Sequence, residues 1–380
     1  MASFAIIGFG CAGYHAVTAI RQADAVSAID IYSEHPDPPN NPMLTTYYAS
    51  NRLCYEGMFP FGNLEELASA YNANIYSNTM VAGIDGAARE IILENGYRKK
   101  YDKILIATGA HTFIPPIPNA CPEITISMRT LEDARDFRNR LNQDHIRQAV
   151  VIGASMAGIK VVEALHNHGI RTILADMAPH IFPLAAYPAT AARIEEALAA
   201  KGISLKFHAG LKAIHKGSSM ADVEFSDGSV VSADLVALCL GTRANTSLAA
   251  DAGIRVNRGI LVNANMAGKY QVFQGNILHN ITHFFDMDFI GFGDNRIKGT
   301  ALSFENRKKG LWMEAVKTET GIAGINILGN YRISGILKNH ILTLLKDPRH
   351  KISDMQRGIL RKEGLNDAFI SLLEGNKSGD

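Results

Sequence analysis

The chain has 380 residues, 47% hydrophobic and 20% charged, with 38 Lys and Arg against 37 Asp and Glu. This length predicts two or three domains around sizeable cores, and nothing in the even charge balance asks for nucleic acid or an anionic membrane as partner. No apolar run approaches the roughly 18 residues of a membrane span, and no basic-then-apolar leader precedes Phe4, so the expectation is a soluble, cytoplasmic protein.

Residues 4–34 read as strand, glycine turn, helix and strand. Phe4-Ala5-Ile6-Ile7 is the first strand, and Gly8-Phe9-Gly10-Cys11-Ala12-Gly13 is a complete G-x-G-x-x-G. A helix follows from about Ala12 to Gln22, and a second strand from about Ala28 to Tyr32 ends at Ser33-Glu34. Each part has a task in dinucleotide binding. Gly8 makes the tight turn, Gly10 lets a pyrophosphate approach the backbone, and Gly13 lets helix and strand pack closely. The helix start at Cys11 and Ala12 offers unpaired N–H groups to phosphate, and Glu34 stands about 20 residues on, where an acid can bond ribose hydroxyls.

Cys11, Cys54, Cys121 and Cys239 form no CxxC or CxxxxC pair. That argues against a disulfide framework and for reduced, mostly buried thiols. Further along, Tyr101-Asp102-Lys103-Ile104-Leu105-Ile106 is a strand ending at Ala107-Thr108-Gly109-Ala110, followed by Ile114-Pro115-Pro116-Ile117-Pro118.

The first pattern then returns. Ala149-Val150-Val151-Ile152 is a strand, Gly153-Ala154-Ser155-Met156-Ala157-Gly158 a turn, and a helix continues to about His168. A strand from Ile170 to Ala175 ends at Asp176. Ser155 replaces the middle glycine and should crowd a pyrophosphate somewhat. Asp176 can accept from both ribose hydroxyls and repels a 2′-phosphate, which favours NAD(H) over NADP(H).

A third apolar stretch, Ala233-Asp234-Leu235-Val236-Ala237-Leu238-Cys239-Leu240-Gly241-Thr242-Arg243-Ala244-Asn245, precedes Gly259-Ile260-Leu261-Val262-Asn263. Beyond it, Gly299 to Phe304 and Leu311 to Val316 read as strands, residues 336–373 as helical, and Gly375 to Asp380 as a frayed tail. The histidines form no HExxH or Cys/His cluster, so no metal site is expected.

The segments around residues 101–118 and 233–263, in this order around two dinucleotide turns, resemble the pyridine nucleotide–disulfide oxidoreductase family, in its NADH oxidase, rubredoxin reductase and CoA-disulfide reductase-like branch. The resemblance implies an α/β protein with two nested Rossmann-like domains. An FAD domain would comprise 1–111 and 242–266, an NAD(H) domain 112–241, and a small α+β C-terminal domain 267–380, the last forming a dimer interface. FAD would meet Gly8, Gly10, Cys11, Ala12, Gly13, Glu34, Val81, Ala107, Thr108 and Gly109. The nicotinamide dinucleotide would meet Gly153, Ser155, Met156, Ala157, Gly158, Asp176 and Gly241.

Three departures from the family pattern stand out. Met43, in Asn40-Asn41-Pro42-Met43-Leu44-Thr45-Thr46-Tyr47-Tyr48, occupies the region of the redox cysteine of disulfide-handling relatives. Lys160 replaces a glutamate that follows the second turn. The Ala-Gly-Asp signature that holds the flavin's ribityl chain is missing, because Val262-Asn263-Ala264 runs straight into Asn265-Met266-Ala267-Gly268; Gly293-Asp294 reads instead as a C-terminal-domain turn. Loss of one charge-assisted hydrogen bond, about 1.5–3 kcal/mol, and of a helix N-terminus, about 0.3–2 kcal/mol, predicts weakened FAD binding.

The resulting expectation is an FAD-dependent NAD(P)H oxidoreductase. It would pass electrons from NADH through flavin to an external acceptor, a redox protein or small molecule, without a redox disulfide and with no side chain assigned as catalytic. It would be a homodimer or a subunit of a larger redox complex. The alternative is a non-catalytic nucleotide-binding or assembly subunit with weakened or lost FAD binding.

Overall fold

A computed structural model describes residues 1–118, 123–217, 220–262, 277–319, 321–347 and 349–374. Cys121, the junction at 263–268 and the tail from Gly375 lie outside these residues. Two compact units emerge. The first holds Met1–Pro115, Ile126–Asp144 and the described residues 240–262, and the second holds Pro116–Thr125, His145–Cys239 and the described residues from 277 on.

In the first unit, Ser3–Ile7 is the inner strand of a parallel sheet whose order is Asn74–Tyr76, Ala28–Tyr32, Ser3–Ile7, Lys103–Ile106. Ile6 pairs with Ile31 on one side and Leu105 on the other. The inner strands are apolar because both sheet faces are covered. Val17 of the helix Cys11–Ala23 and Leu67 of the helix Leu64–Tyr71 pack with Ile6, Ile29 and Ile31. The opposite face packs Ala5, Ile7 and Tyr32 on Val81, Ile91 and Tyr101. Val81 and Ile91 belong to an antiparallel sheet of Val81–Asp85, Glu90–Leu93 and Arg98–Lys100. Asn63 with Glu66, and Thr130 with Asp133, close capping boxes at the starts of the helices Leu64–Tyr71 and Leu131–Leu141.

Lys103–Ile106 is the last strand of this sheet, and among the described residues no strand pairs with its outer edge. Its residues alternate in exposure, and Leu105 is 41% exposed.

The second unit repeats the arrangement. Its parallel strands run in the order Ser204–Lys206, Arg171–Ala175, Gln148–Ile152, Leu235–Leu238. Gly158 to Leu165 of the helix Met156–Asn167 are all buried, including Lys160 and Glu163. The C-terminal part is a five-stranded antiparallel sheet, ordered His279–Phe284, Met287–Gly293, Gly321–Leu328, Leu311–Thr318, Thr300–Asn306. The helices Ser334–Leu344, Asp354–Lys362 and Asp367–Leu373 cover it through Leu337, Ile341, Leu360, Phe369 and Ile370. Gly293 ends a strand of this sheet, which makes Gly293-Asp294 a turn of the C-terminal part.

Candidate dinucleotide-binding sites

The first glycine turn is shaped by three different steric demands. Gly8 has φ +100°, and a Cβ there would lie 2.3 Å from Ala107 O, so neither its conformation nor its neighbour admits a side chain. A Cβ on Gly13 would lie 2.2 Å from Gly8 O. Gly10 is the opposite case: a Cβ there meets nothing within 4 Å. Gly10 is also the N-cap of Cys11–Ala23 and supplies no side-chain bond. The amides of Cys11, Ala12 and Gly13 therefore open the helix without a capping side chain, the arrangement that receives an anion. An open cradle beside unpaired amides fits the pyrophosphate of a dinucleotide.

The remaining residues of this site come from strand ends. The Gly8 amide donates to Tyr32 O at 2.8 Å, which ties the turn to the strand preceding Glu34, and Glu34 is exposed. Ala107 donates to Ile7 O at 2.8 Å. Thr108 and Gly109 are held by Asn245: Thr108 Oγ1 donates to Asn245 O (3.0 Å), Asn245 Nδ2 to Thr108 O (2.7 Å), and Asn245 N–H to Gly109 O (3.0 Å). Ala110–Thr112 then pairs antiparallel with Thr242–Ala244. The first unit thus brings together Gly8, Gly13, Ala107, Thr108 and Gly109, with Val81 on the covering sheet. Gly241, with φ +95°, falls in this unit, its carbonyl accepting from Phe113 N–H at 2.9 Å. Asn245 was not singled out by the sequence, where it is one polar residue after a glycine.

The second turn has the same frame. Gly153 has φ +108°, its amide donates to Ala175 O at 2.8 Å, and a Cβ on Gly158 would lie 2.0 Å from Gly153 O. Its hydrogen bonding differs from the first. Ser155 caps Met156–Asn167, its Oγ accepting from Gly158 N–H at 3.2 Å and donating to Cys239 O at 3.3 Å. Asp176 accepts from Ala154 N–H at 2.7 Å and Ala178 N–H at 2.8 Å, one bond to each carboxylate oxygen. Those bonds orient the carboxylate at the strand end beside the turn.

Lys160 does not stand as an isolated cation. It is ion-paired with Glu163 and donates to His283 O at 2.9 Å. Its i,i+3 spacing from Glu163 is legible in the sequence; His283 is not. Met43 is 70% exposed within the short helical turn Pro42–Leu44. The following Tyr48 lies under Arg138, 4.7 Å from its ring centre, and Tyr55 hydrogen-bonds Arg135 at 2.9 Å. Cys11 is half-buried, Cys54 exposed and Cys239 buried. Among the described residues no group of three or more His, Cys, Asp or Glu could hold a metal.

Two strand–glycine-turn–helix–strand units, each with its last glycine locked against the carbonyl of its first, define a Rossmann-type α/β protein with paired dinucleotide-type turns. The chain belongs to the pyridine nucleotide-disulphide oxidoreductase family, whose profile matches residues 2–273, and hence to a class of oxidoreductase enzymes. It is 27% identical over 260 residues to the assimilatory nitrate reductase electron transfer subunit of Bacillus subtilis, a match covering 68% of this chain and 33% of that protein. It is 27% identical over 265 residues to the rubredoxin-NAD(+) reductase of Alcanivorax borkumensis, covering 69% and 68%. The chain therefore spans about a third of the first relative's length and about two thirds of the second's. In three dimensions it is similar to the ferredoxin reductase of the CYP199A2 system from Rhodopseudomonas palustris, with TM-score 0.82 and 18% identity over 90% of this chain and 95% of that one. At that identity the likeness shows the fold.

Proposed function

We propose that the chain is an FAD-dependent NAD(H) oxidoreductase that delivers electrons to an external acceptor, a redox protein or a small molecule. The observation that carries this reading is the repetition, in one chain, of a strand–turn–helix junction whose last glycine sits against the carbonyl of its first: a Cβ on Gly13 would lie 2.2 Å from Gly8 O, and one on Gly158 2.0 Å from Gly153 O. FAD, bound at the first turn, would supply the redox chemistry, with NADH at the second as hydride source. The residues of this chain bind and orient. The amides of Cys11 to Gly13 would hold a pyrophosphate, Glu34 would reach ribose, and Thr108-Gly109, braced by Asn245, would contact the FAD. Asp176, oriented by Ala154 and Ala178, accepts from the ribose hydroxyls of NAD(H) and repels a 2′-phosphate. In this reading residues 1–111 with 242–266 form the FAD domain, 112–241 the NAD(H) domain and 267–380 an interface domain. Met43 in place of a cysteine supports direct transfer from flavin to acceptor, without a thiol relay. We place the protein in the cytoplasm, as a homodimer or a subunit of a larger redox complex; no helix of the described residues is long and apolar enough to cross a membrane. The curated relatives named as reductases of rubredoxin and as an electron transfer subunit support a protein acceptor.

One observation favours a second reading. The outer edge of Lys103–Ile106 has no described partner, and Leu105 is exposed there. A flavin site missing cover on this side binds FAD weakly, and the chain would then serve as a nucleotide-binding or assembly subunit. Absorbance of the purified protein with and without added FAD, followed by anaerobic NADH, separates the two. Flavin bleaching by NADH is the expected result. A colourless protein that takes up no FAD yet gains heat stability from NADH would establish the scaffold reading in its place.

A further inference from the structure

The two turns of this chain differ at the middle position of the motif, Gly10 against Ser155, and that difference falls on the groups that meet phosphate. At the first turn Gly10 leaves the helix start uncapped and the space above it open. At the second, the equivalent Ser155 has φ −94° and ψ 176°, and its hydroxyl already closes the Gly158 amide. Asp176 closes the Ala154 amide. Two donors that a bare glycine turn could offer an anion are thus satisfied from within.

The hydroxyl's two bonds are unequal in what they hold. The bond from Gly158 N–H, at 3.2 Å, caps the helix. The bond it gives, to Cys239 O at 3.3 Å, is long and goes to a neutral acceptor. A serine O–H rotates freely about its C–O bond. It can turn to a new acceptor without moving the backbone and while still accepting from Gly158. An anionic phosphate oxygen binds a donor about twice as strongly as a neutral carbonyl does, so it outcompetes Cys239 O for this proton.

We propose that Ser155 is a direct pyrophosphate ligand for the nicotinamide dinucleotide: its hydroxyl proton leaves Cys239 O for a phosphate oxygen while its lone pair keeps the Gly158 cap. The side chain that replaces the middle glycine thereby adds a donor where the sequence suggested an obstacle. This rests on the reading of the second turn as the NADH site.

The test is calorimetric titration of the full chain with ADP-ribose, which carries the pyrophosphate and no redox-active ring. It is run well below the melting temperature on wild type, Ser155→Ala, Ser155→Gly and Ser155→Thr. Ala and Gly remove the hydroxyl with and without a Cβ, and each is expected to raise Kd about tenfold. Thr keeps the hydroxyl and is expected to stay within about threefold of wild type. NADH turnover should show the Ala and Gly loss in KM, with kcat unchanged. A purely structural cap lowers the melting temperature of the Ala variant without moving Kd, and that result overturns the proposal. An obstructing side chain makes Gly bind tighter than wild type, which also overturns it. Wild-type protein that binds neither ADP-ribose nor NADH removes the site reading itself, an outcome distinct from wild-type binding that is unchanged in the variants.

Discussion

Lys160 and Glu163, one turn apart on a buried helix, are ion-paired, and each also grips the backbone of the same hairpin. Lys160 donates to His283 O at 2.9 Å and Glu163 accepts from Phe285 N–H at 2.9 Å. Their side chains are only 10% and 6% exposed. A buried pair adds little over an apolar replacement, but losing one partner strands the other charge and costs about 3–5 kcal/mol. Lys160→Met should therefore destabilise the protein by about 3 kcal/mol, and adding Glu163→Leu should restore part of that loss. Trp312 is the only tryptophan in the chain and lies in the same unit, so urea unfolding followed by its fluorescence reads the effect. An unchanged midpoint in Lys160→Met would contradict the burial of this pair.

A second charge is buried in the first unit. Asp30 is 3% exposed and takes hydrogen bonds from Lys99 Nζ (2.6 Å), Tyr101 OH (2.5 Å) and Asn74 Nδ2 (2.8 Å). Burial opposes its ionisation, but these three donors outweigh it and hold the carboxyl below its ordinary range. A carboxylate with a depressed folded pKa stabilises the fold above its unfolded value, about 3.9. That stability is lost as pH falls through the folded value. Asp30→Asn should cost about 1–3 kcal/mol at pH 7, with the gap to wild type closing below about pH 4. Urea midpoints at pH 7 and pH 3 check this; a gap that is equal at both would show that the charge is not the source.

The glycines of the first turn separate folding from binding. Gly13→Ala places a Cβ 2.2 Å from Gly8 O and should lower the melting temperature by several degrees, about 1–3 kcal/mol. Gly10→Ala meets no protein atom within 4 Å, so it should melt like wild type while weakening FAD binding through contact with the pyrophosphate. Differential scanning calorimetry and flavin titration on the two variants give opposite patterns if the turn holds phosphate. Equal FAD affinity in Gly10→Ala and wild type would argue against it.

Asp176→Ala should shift nucleotide choice. It removes the acceptor for the ribose hydroxyls and the charge that repels a 2′-phosphate, and it releases the Ala154 and Ala178 amides. NADH affinity should fall about tenfold while the NADPH-to-NADH affinity ratio rises. Titrating both nucleotides into both proteins measures the ratio; a ratio that stays put would remove Asp176 from the ribose site.

The two nucleotide-type units were legible in the sequence because their determinants are local. An apolar run of four or five residues, a first and a last glycine five residues apart and an acid at the next strand end are all set within about 30 residues. Gly8, Gly13, Gly153 and Gly158 answer a clash or a φ that the turn itself creates, as the Gly8 O contact at Gly13 and the Gly153 O contact at Gly158 show. The C-terminal strands and helices were likewise visible in outline from their periodicity.

What the sequence could not supply was the choice of partner for each polar group. Ser155 is turned toward a helix cap and toward Cys239, 84 residues away, and Lys160 reaches a carbonyl 123 residues on. Thr108 and Gly109 are braced by Asn245 from the returning segment, 137 residues beyond Thr108. Such bonds depend on which distant backbone arrives beside a side chain, and packing of whole sheets decides that. The same packing leaves Lys103–Ile106 as the last described strand of its sheet. Local chemistry therefore determined where the turns are, and tertiary contacts decided what their side chains do.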